Sequence, residues 1–322
     1  MQTLADGILQ GKLRPLSKGI TLIESRNPEH SQSANQLLEK IMPATGNSVR
    51  IGISGVPGVG KSTFIEAFGK HLTSSGHRVA VLAVDPSSQV TGGSILGDKT
   101  RMEELARDEN AFIRPSPAGD TLGGVARKTR ETMLLCEAAG YDVILVETVG
   151  VGQSEITVAS MVDFFMLLQL ANAGDELQGI KKGVMEIADA IIINKAEGSN
   201  RMRAEVAASQ YVNALHILRP KSPNWTVPVK LCSALYNEGI SDIWDMVKDY
   251  RDRLTESGEF DEKRRGQSVD WLWTLVMDGL KDMFMDNRHV QAMYPQIQES
   301  VENGVMNPSA ASKRLLELFK RH

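Results

Sequence analysis

The chain has 322 residues, with 36 Lys and Arg against 40 Asp and Glu and a formal net charge of −4. At 42% hydrophobic and 24% charged residues it falls among soluble globular proteins long enough for one or two domains. The acidic balance gives no basic field to recruit nucleic acid or an anionic membrane, and the longest apolar run, Phe164 to Leu170, is far too short to span a bilayer. The opening M-Q-T-L-A-D-G lacks a basic segment followed by an apolar one, so a secretory signal is not expected. Two cysteines, Cys136 in a helical run and Cys232 in a strand, read as buried thiols of a reducing compartment. A cytoplasmic location is the expectation.

Residues 1–46 carry helical periodicity without strand signals: Leu16, Ile20 and Ile23 share one face, and Leu37, Leu38 and Ile41 another. Pro43 and Gly46 end this helical extension. From 49 to about 250 short apolar runs alternate with helical stretches. Strands are predicted at 49–54, 78–84, 143–147, 163–170, 190–194 and 227–232, with helices at 61–75, 123–139, 177–188 and 201–218. That alternation predicts a mainly parallel, doubly wound α/β sheet with ligands at the carboxyl ends of the strands.

The first strand runs into Gly55-Val56-Pro57-Gly58-Val59-Gly60-Lys61-Ser62-Thr63, which fits G-x-x-x-x-G-K-[ST], the P-loop. Gly58 and Gly60 let backbone N–H groups wrap phosphate oxygens, and the helix opening near Lys61 adds its positive end. Lys61 supplies a charge for the β- and γ-phosphates, and the Ser62 hydroxyl is placed for Mg²⁺. The other strands deliver chemistry to the same edge. Asp85, Asp98 and Glu147 are candidate hard-oxygen ligands, Gly150 allows a backbone N–H near a γ-phosphate, and Gln153 is placed to orient an attacking water. Each has a plainer reading: Asp85 as a turn former before Pro86, Glu147 as a strand-end carboxylate, Gln153 as a helix-start amide.

After a later strand comes Asn194-Lys195-Ala196-Glu197, and further on Ser233-Ala234-Leu235. An acidic side chain accepts from guanine N1–H and N2–H₂ together, a donor pair that adenine lacks. The Asn and Lys build the loop, and the Ala234 N–H is placed to read O6. The usual acid in this motif is Asp; Glu197 is one methylene longer. GTP is favoured. The segment 173–183, bracketed by glycines and carrying Gln178, Lys181 and Lys182, reads equally as a nucleotide-state reporter or a solvated helix start.

Beyond Arg251 the charged stretch 256–265 looks like a linker, and residues 269–285 form a helix apolar around most of its circumference, including Trp271, Trp273 and Phe284. An intersubunit contact suits such an arm better than burial on its own domain. The expected division is a helical extension at 1–46, a GTPase domain at 47–255 and a helical dimerisation arm at 256–322.

G-V-P-G-V-G-K-S-T, V-D-P-S-S, T-G-G-S-I-L-G-D-K-T-R-M, E-T-V-G-V-G-Q-S-E and G-D-E-L-Q-G-I-K-K-G resemble the MeaB/ArgK-type GTPases, the G-protein chaperones of methylmalonyl-CoA mutase. The similarity covers nearly the whole chain. It implies GTP hydrolysis, Mg²⁺ dependence, a homodimer, and protection or cofactor loading of an adenosylcobalamin-dependent acyl-CoA mutase. It also implies that Lys61, Ser62 and Thr63 bind phosphate and metal and that Asp85, Asp98 and Glu147 form the acidic cluster. Asn194, Lys195, Glu197 and residues 233–235 would contact guanine. No arginine is placed by motif as a finger, although Arg101 and Arg114 stay open. The competing class is a P-loop small-molecule kinase of the kind once assigned to amino-acid transport. A kinase should show an acceptor pocket and an arginine-rich lid, whereas the acids here are committed to metal.

Overall fold

The computed structural model describes residues 1–25, 27–84, 102–115, 122–148, 153–171 and 182–320. They divide into two compact units, Met1–Phe260 and Asp261–His322. The first is built on a seven-stranded sheet: β1 (Val49–Gly55), β2 (Val79–Val84), β3 (Ala111–Arg114), β4 (Val143–Thr148), β5 (Phe164–Leu170), β6 (Ala190–Asn194) and β7 (Val229–Leu231). All of its pairings are parallel, in the order β3-β2-β4-β1-β5-β6-β7. The near-continuous burial of β1, β2, β4, β5 and β6 explains their apolar runs, because helices cover both faces of a parallel sheet. From β1 the chain crosses β4 to reach β2, and from β4 it crosses β1 to reach β5. The strand order therefore reverses around β1, the place where doubly wound sheets bind ligands at the carboxyl ends of their strands.

The predicted doubly wound α/β fold is the observed one. β3 was not read from the sequence, and β7 is shorter than expected, so Cys232 follows the strand instead of lying in it. The helices of the first unit are α1 (Gln2–Leu9), α2 (Leu13–Glu24), α3 (Pro28–Ile41), α4 (Lys61–Ser74), α5 (Glu103–Ala106), α6 (Leu122–Ala138), α7 (Gln153–Ala159), α8 (Lys182–Ile187), α9 (Arg201–Ile217) and α10 (Ile240–Glu256). Helices α1 to α3 pack on one another and on α6, burying Leu16, Ile20, Ile23, Leu37 and Ile41. Polar ties fasten them: Arg114 pairs with Glu24, and Lys128 Nζ donates to the Glu24 carbonyl at 2.8 Å. Glu137, almost wholly buried, receives Arg50 Nε at 2.8 Å and the Gly46 N–H at 2.9 Å, which fixes the entry into β1. On the other face α10 lays Trp244 edge-on to Phe68 and Tyr250 against Phe164.

The charged stretch 256–265, read as a linker, contains the boundary between the two units and is mostly helical. Glu256 ends α10, Gly258 takes a φ of 79°, and α11 (Glu259–Asp286) begins at once. The second unit holds α11 from Asp261, with α12 (Arg288–Glu302) and α13 (Pro308–Phe319). Asn287 and Asn307 cap the last two helices through their side chains, at the asparagine positions that favour helix starts. Along α11 the side chains of Val269, Leu272, Trp273, Met277, Leu280 and Met283 are exposed, Trp273 at 62%.

Candidate nucleotide site

β1 runs directly into the glycine-rich turn. Gly55 stands in register with Leu168 of β5, and a Cβ there would lie 2.5 Å from the Leu168 carbonyl oxygen. A side chain at 55 would push two central strands apart, so the first glycine of the motif is a packing requirement. Val59 is fully buried beneath the turn, while Gly58 and Gly60 take φ of 79° and 91°. Gly60 then starts α4 without any side-chain cap, which aims the helix N-terminus into the turn. Lys61 folds back over the loop, with Nζ donating to the Gly55 carbonyl at 2.8 Å and to that of Val56 at 3.5 Å. Ser62 is half-buried and Thr63 exposed beside it.

The loop after β6 is bonded straight onto this turn. Asn194 Nδ2 donates to the Val59 carbonyl at 2.9 Å, and Lys195 Nζ to the Gly58 carbonyl at 2.9 Å. Asn194 Oδ1 accepts from the Ala234 N–H at 3.1 Å and the Cys232 thiol at 3.4 Å. The Ala196 N–H donates to the Cys232 carbonyl at 3.0 Å, and residues Ser233 and Glu238 exchange a backbone pair at 3.0 Å. Thus the two segments predicted to form the base site, 194–197 and 233–235, are one unit tied to the P-loop. The Ala234 N–H, expected to read O6, is given to Asn194 and braces the asparagine. Glu197 is half-buried, and its Oε2 is buried without a hydrogen-bond partner among the described residues. Burial pushes the Cys232 thiol up to about 12, with the Glu197 charge adding to it.

Glu147 is the next-to-last residue of β4, in register with Ile53 of β1, and is half-buried. Burial pulls the Lys61 ammonium below its ordinary pKa, and the charges of Glu147 and Glu155 push it back. Glu155 is a residue that sequence reasoning missed. It lies in the first turn of α7 at 4% exposure, with Ser54 Oγ donating to its Oε1 at 3.4 Å. Its signal was the last letter of E-T-V-G-V-G-Q-S-E, which reads as an ordinary helix-start acid. Gln153 opens α7. Asp85, Asp98, Gly150, Arg101 and residues 172–181 lie outside the described residues. Arg114 is engaged with Glu24.

A glycine turn closed on a helix N-terminus at the strand-order reversal, with an Asn-Lys loop bonded to it, defines a P-loop nucleotide-binding protein. The chain belongs to the family of methylmalonyl-CoA mutase-associated GTPases, MeaB, whose model matches residues 16–289, and it is a GTPase that binds GTP and GDP. It is 52% identical to a probable GTPase of Mycobacterium tuberculosis, over 98% of this chain and 94% of that protein. It is 50% identical to the GTPase ArgK of Escherichia coli, covering 99% and 97%. The mitochondrial methylmalonic aciduria type A homolog of Mus musculus is 45% identical, covering 99% and 80%. A crystal structure described as a LAO/AO transport system kinase is 44% identical with a TM-score of 0.79, covering 99% and 97%.

Proposed function

We propose that this chain is a GTP-hydrolysing chaperone that protects, or gates cofactor loading of, an adenosylcobalamin-dependent acyl-CoA mutase. The match to the mutase-associated GTPase model over residues 16–289 carries this reading. On this account the backbone of 55–60 wraps the phosphates. Lys61 gives up the Gly55 carbonyl to reach the β- and γ-phosphates, where negative charge builds in the transition state. Glu197 accepts from guanine N1–H and N2–H₂. Its buried, unpartnered Oε2 supports that role, because such an oxygen is costly until a donor arrives. Asn194 and Lys195 hold the base loop on the turn, with residues 233–235 alongside.

The half-buried Ser62 hydroxyl and Glu147 carboxylate are hard oxygen donors beside this turn, a set that suits Mg²⁺. With Asp85 and Asp98 they would hold it, and Mg²⁺ would offset charge on the phosphate oxygens. Gly150 and Gln153 would serve the γ-phosphate side, Gln153 by orienting water. The exposed apolar residues of α11 form the contact of a homodimer. No described helix is long and apolar enough to cross a membrane.

The likeness to a structure described as a transport kinase keeps a second reading alive, phosphoryl transfer to a small molecule. The two are separated by incubating the protein with γ-labelled GTP and candidate amino acids, and by measuring mutase affinity with GDP and with a non-hydrolysable GTP analogue. Release of free phosphate and a nucleotide-dependent mutase affinity support the chaperone. A phosphorylated acceptor, with no change in mutase affinity, supports the kinase.

A further inference from the structure

A cavity of about 330 Å³ opens at the amino ends of β6 and β7. The P-loop and the Asn194 loop lie at the carboxyl ends, the length of β6 away, about 16 Å at about 3.3 Å per residue. The volume is at the low end of small-ligand sites, ~300–1,000 Å³. Met185 of α8, Leu215 and Leu218 at the end of α9, and Trp225 and Val227 ahead of β7 give it an apolar lining. That lining is tied to the sheet. Trp225 Nε1 donates to the Asp189 carbonyl at 2.8 Å, and its ring stands edge-on to Tyr250 with centroids 5.0 Å apart. Lys221, which also borders the cavity, is spent on Asp189 Oδ1 at 3.0 Å and on the Ile187 carbonyl. Asp189 Oδ2 in turn accepts the Phe165 N–H of β5 at 2.9 Å.

The rim carries charge of both signs. Glu186 of α8 and Arg219, just past α9, are exposed, and neither has a hydrogen bond or ion pair among the described residues. They border one cavity without pairing with each other. A preformed apolar hollow edged by one unspent anion and one unspent cation fits a ligand of the inverse pattern, a short apolar body carrying an ammonium and a carboxylate.

We propose that this cavity binds a free α-amino acid with an apolar side chain. Glu186 takes the ammonium, and the planar fork of Arg219 takes the carboxylate. His216, which also borders the cavity, offers the carboxylate a further donor. The side chain lies against Leu215 and Trp225. Either charge alone would leave one rim group unmatched, so recognition needs both. The bound amino acid is not a phosphoryl acceptor, because the length of the sheet separates it from the P-loop.

The full chain is titrated by calorimetry with L-valine, L-leucine, L-methionine and L-phenylalanine. Each is compared with the analogue lacking its amino group and the analogue lacking its carboxyl group (for leucine, 4-methylpentanoate and 3-methylbutylamine). At least one amino acid is expected to bind with a Kd below about 1 mM, and its two analogues at least about tenfold more weakly. Glu186→Gln should weaken the amino acid at least about fivefold without weakening the carboxylate analogue. Arg219→Gln should weaken both of these and spare the amine analogue. Both side chains are exposed and far from the nucleotide edge, so GDP affinity and melting temperature should stay parental. Absence of binding by all four amino acids at about 10 mM would overturn the proposal. So would analogues that bind as tightly as the amino acid, or parental amino-acid affinity in either variant.

Discussion

Asn194→Ala is the substitution whose effect can be worked out most fully from the geometry. The carboxamide is 2% exposed and committed on both ends: Nδ2 to the Val59 carbonyl at 2.9 Å, and Oδ1 to the Ala234 N–H at 3.1 Å. Truncation removes both bonds and leaves a buried carbonyl and a buried N–H without partners. At about 1–3 kcal/mol for each of the two orphaned groups, the total is about 2–6 kcal/mol. Much of it should appear in nucleotide affinity, because the bonds join the phosphate turn to the base loop and ligand must grip both at once. We expect GDP binding to weaken about 30-fold, about 2 kcal/mol, with melting lowered by several degrees. The ratio of GDP to ADP affinity should fall much less, since Asn194 holds backbone and not base. Calorimetry with both nucleotides gives the answer. GDP affinity within about twofold of parent, at unchanged melting temperature, would show that the two loops are not coupled as described.

Glu197→Ala should behave in the opposite way, erasing a guanine preference of at least tenfold, about 1.4 kcal/mol, while melting is unchanged. A retained preference would place recognition elsewhere in the loop. Gly55→Ala should destabilise by about 1–3 kcal/mol in urea unfolding, because its Cβ would sit 2.5 Å from the Leu168 carbonyl; parental stability would contradict the observed strand spacing. Both thiols are buried, so the native chain should show no fast reaction with a disulfide reagent at pH 8. Above pH 9 an unfolded chain ionises its thiols, whereas the folded state keeps Cys232 protonated up to about 12, so this group subtracts stability between those values. A unit-stoichiometry fast thiol would refute that burial.

Much of the fold was legible because its strands are covered on both faces. Runs such as Phe164–Leu170 and Ala190–Asn194 admit few other readings. β3 escaped because Ala111–Arg114 is four residues long and half of it is only partly buried. The helical junction at 256–265 escaped for a different reason: charge density resembles a linker, while a single glycine in the left-handed region suffices to break one helix and start the next. At the site, the motif letters placed Lys61 and Asn194 at one edge. They did not reveal that Asn194 spends its donor on Val59 and its acceptor on Ala234, which only the folded loops decide. Glu155 was hidden for the same reason, since burial against Ser54 is a tertiary fact.

As a chaperone of a mutase, the protein is expected to hydrolyse GTP slowly alone and faster with its partner. No finger arginine is placed by motif, and Arg114 is held by Glu24. On the proposed function, catalysis by positioning would wait for groups that a mutase partner supplies or orders. The direct measurement is the steady-state rate of GTP hydrolysis with Mg²⁺, with and without a cognate adenosylcobalamin-dependent mutase. The account predicts a clear acceleration by the mutase that Lys61→Ala abolishes. An unchanged rate at saturating mutase, with a mutase affinity identical in GDP and GTP-analogue states, would contradict it.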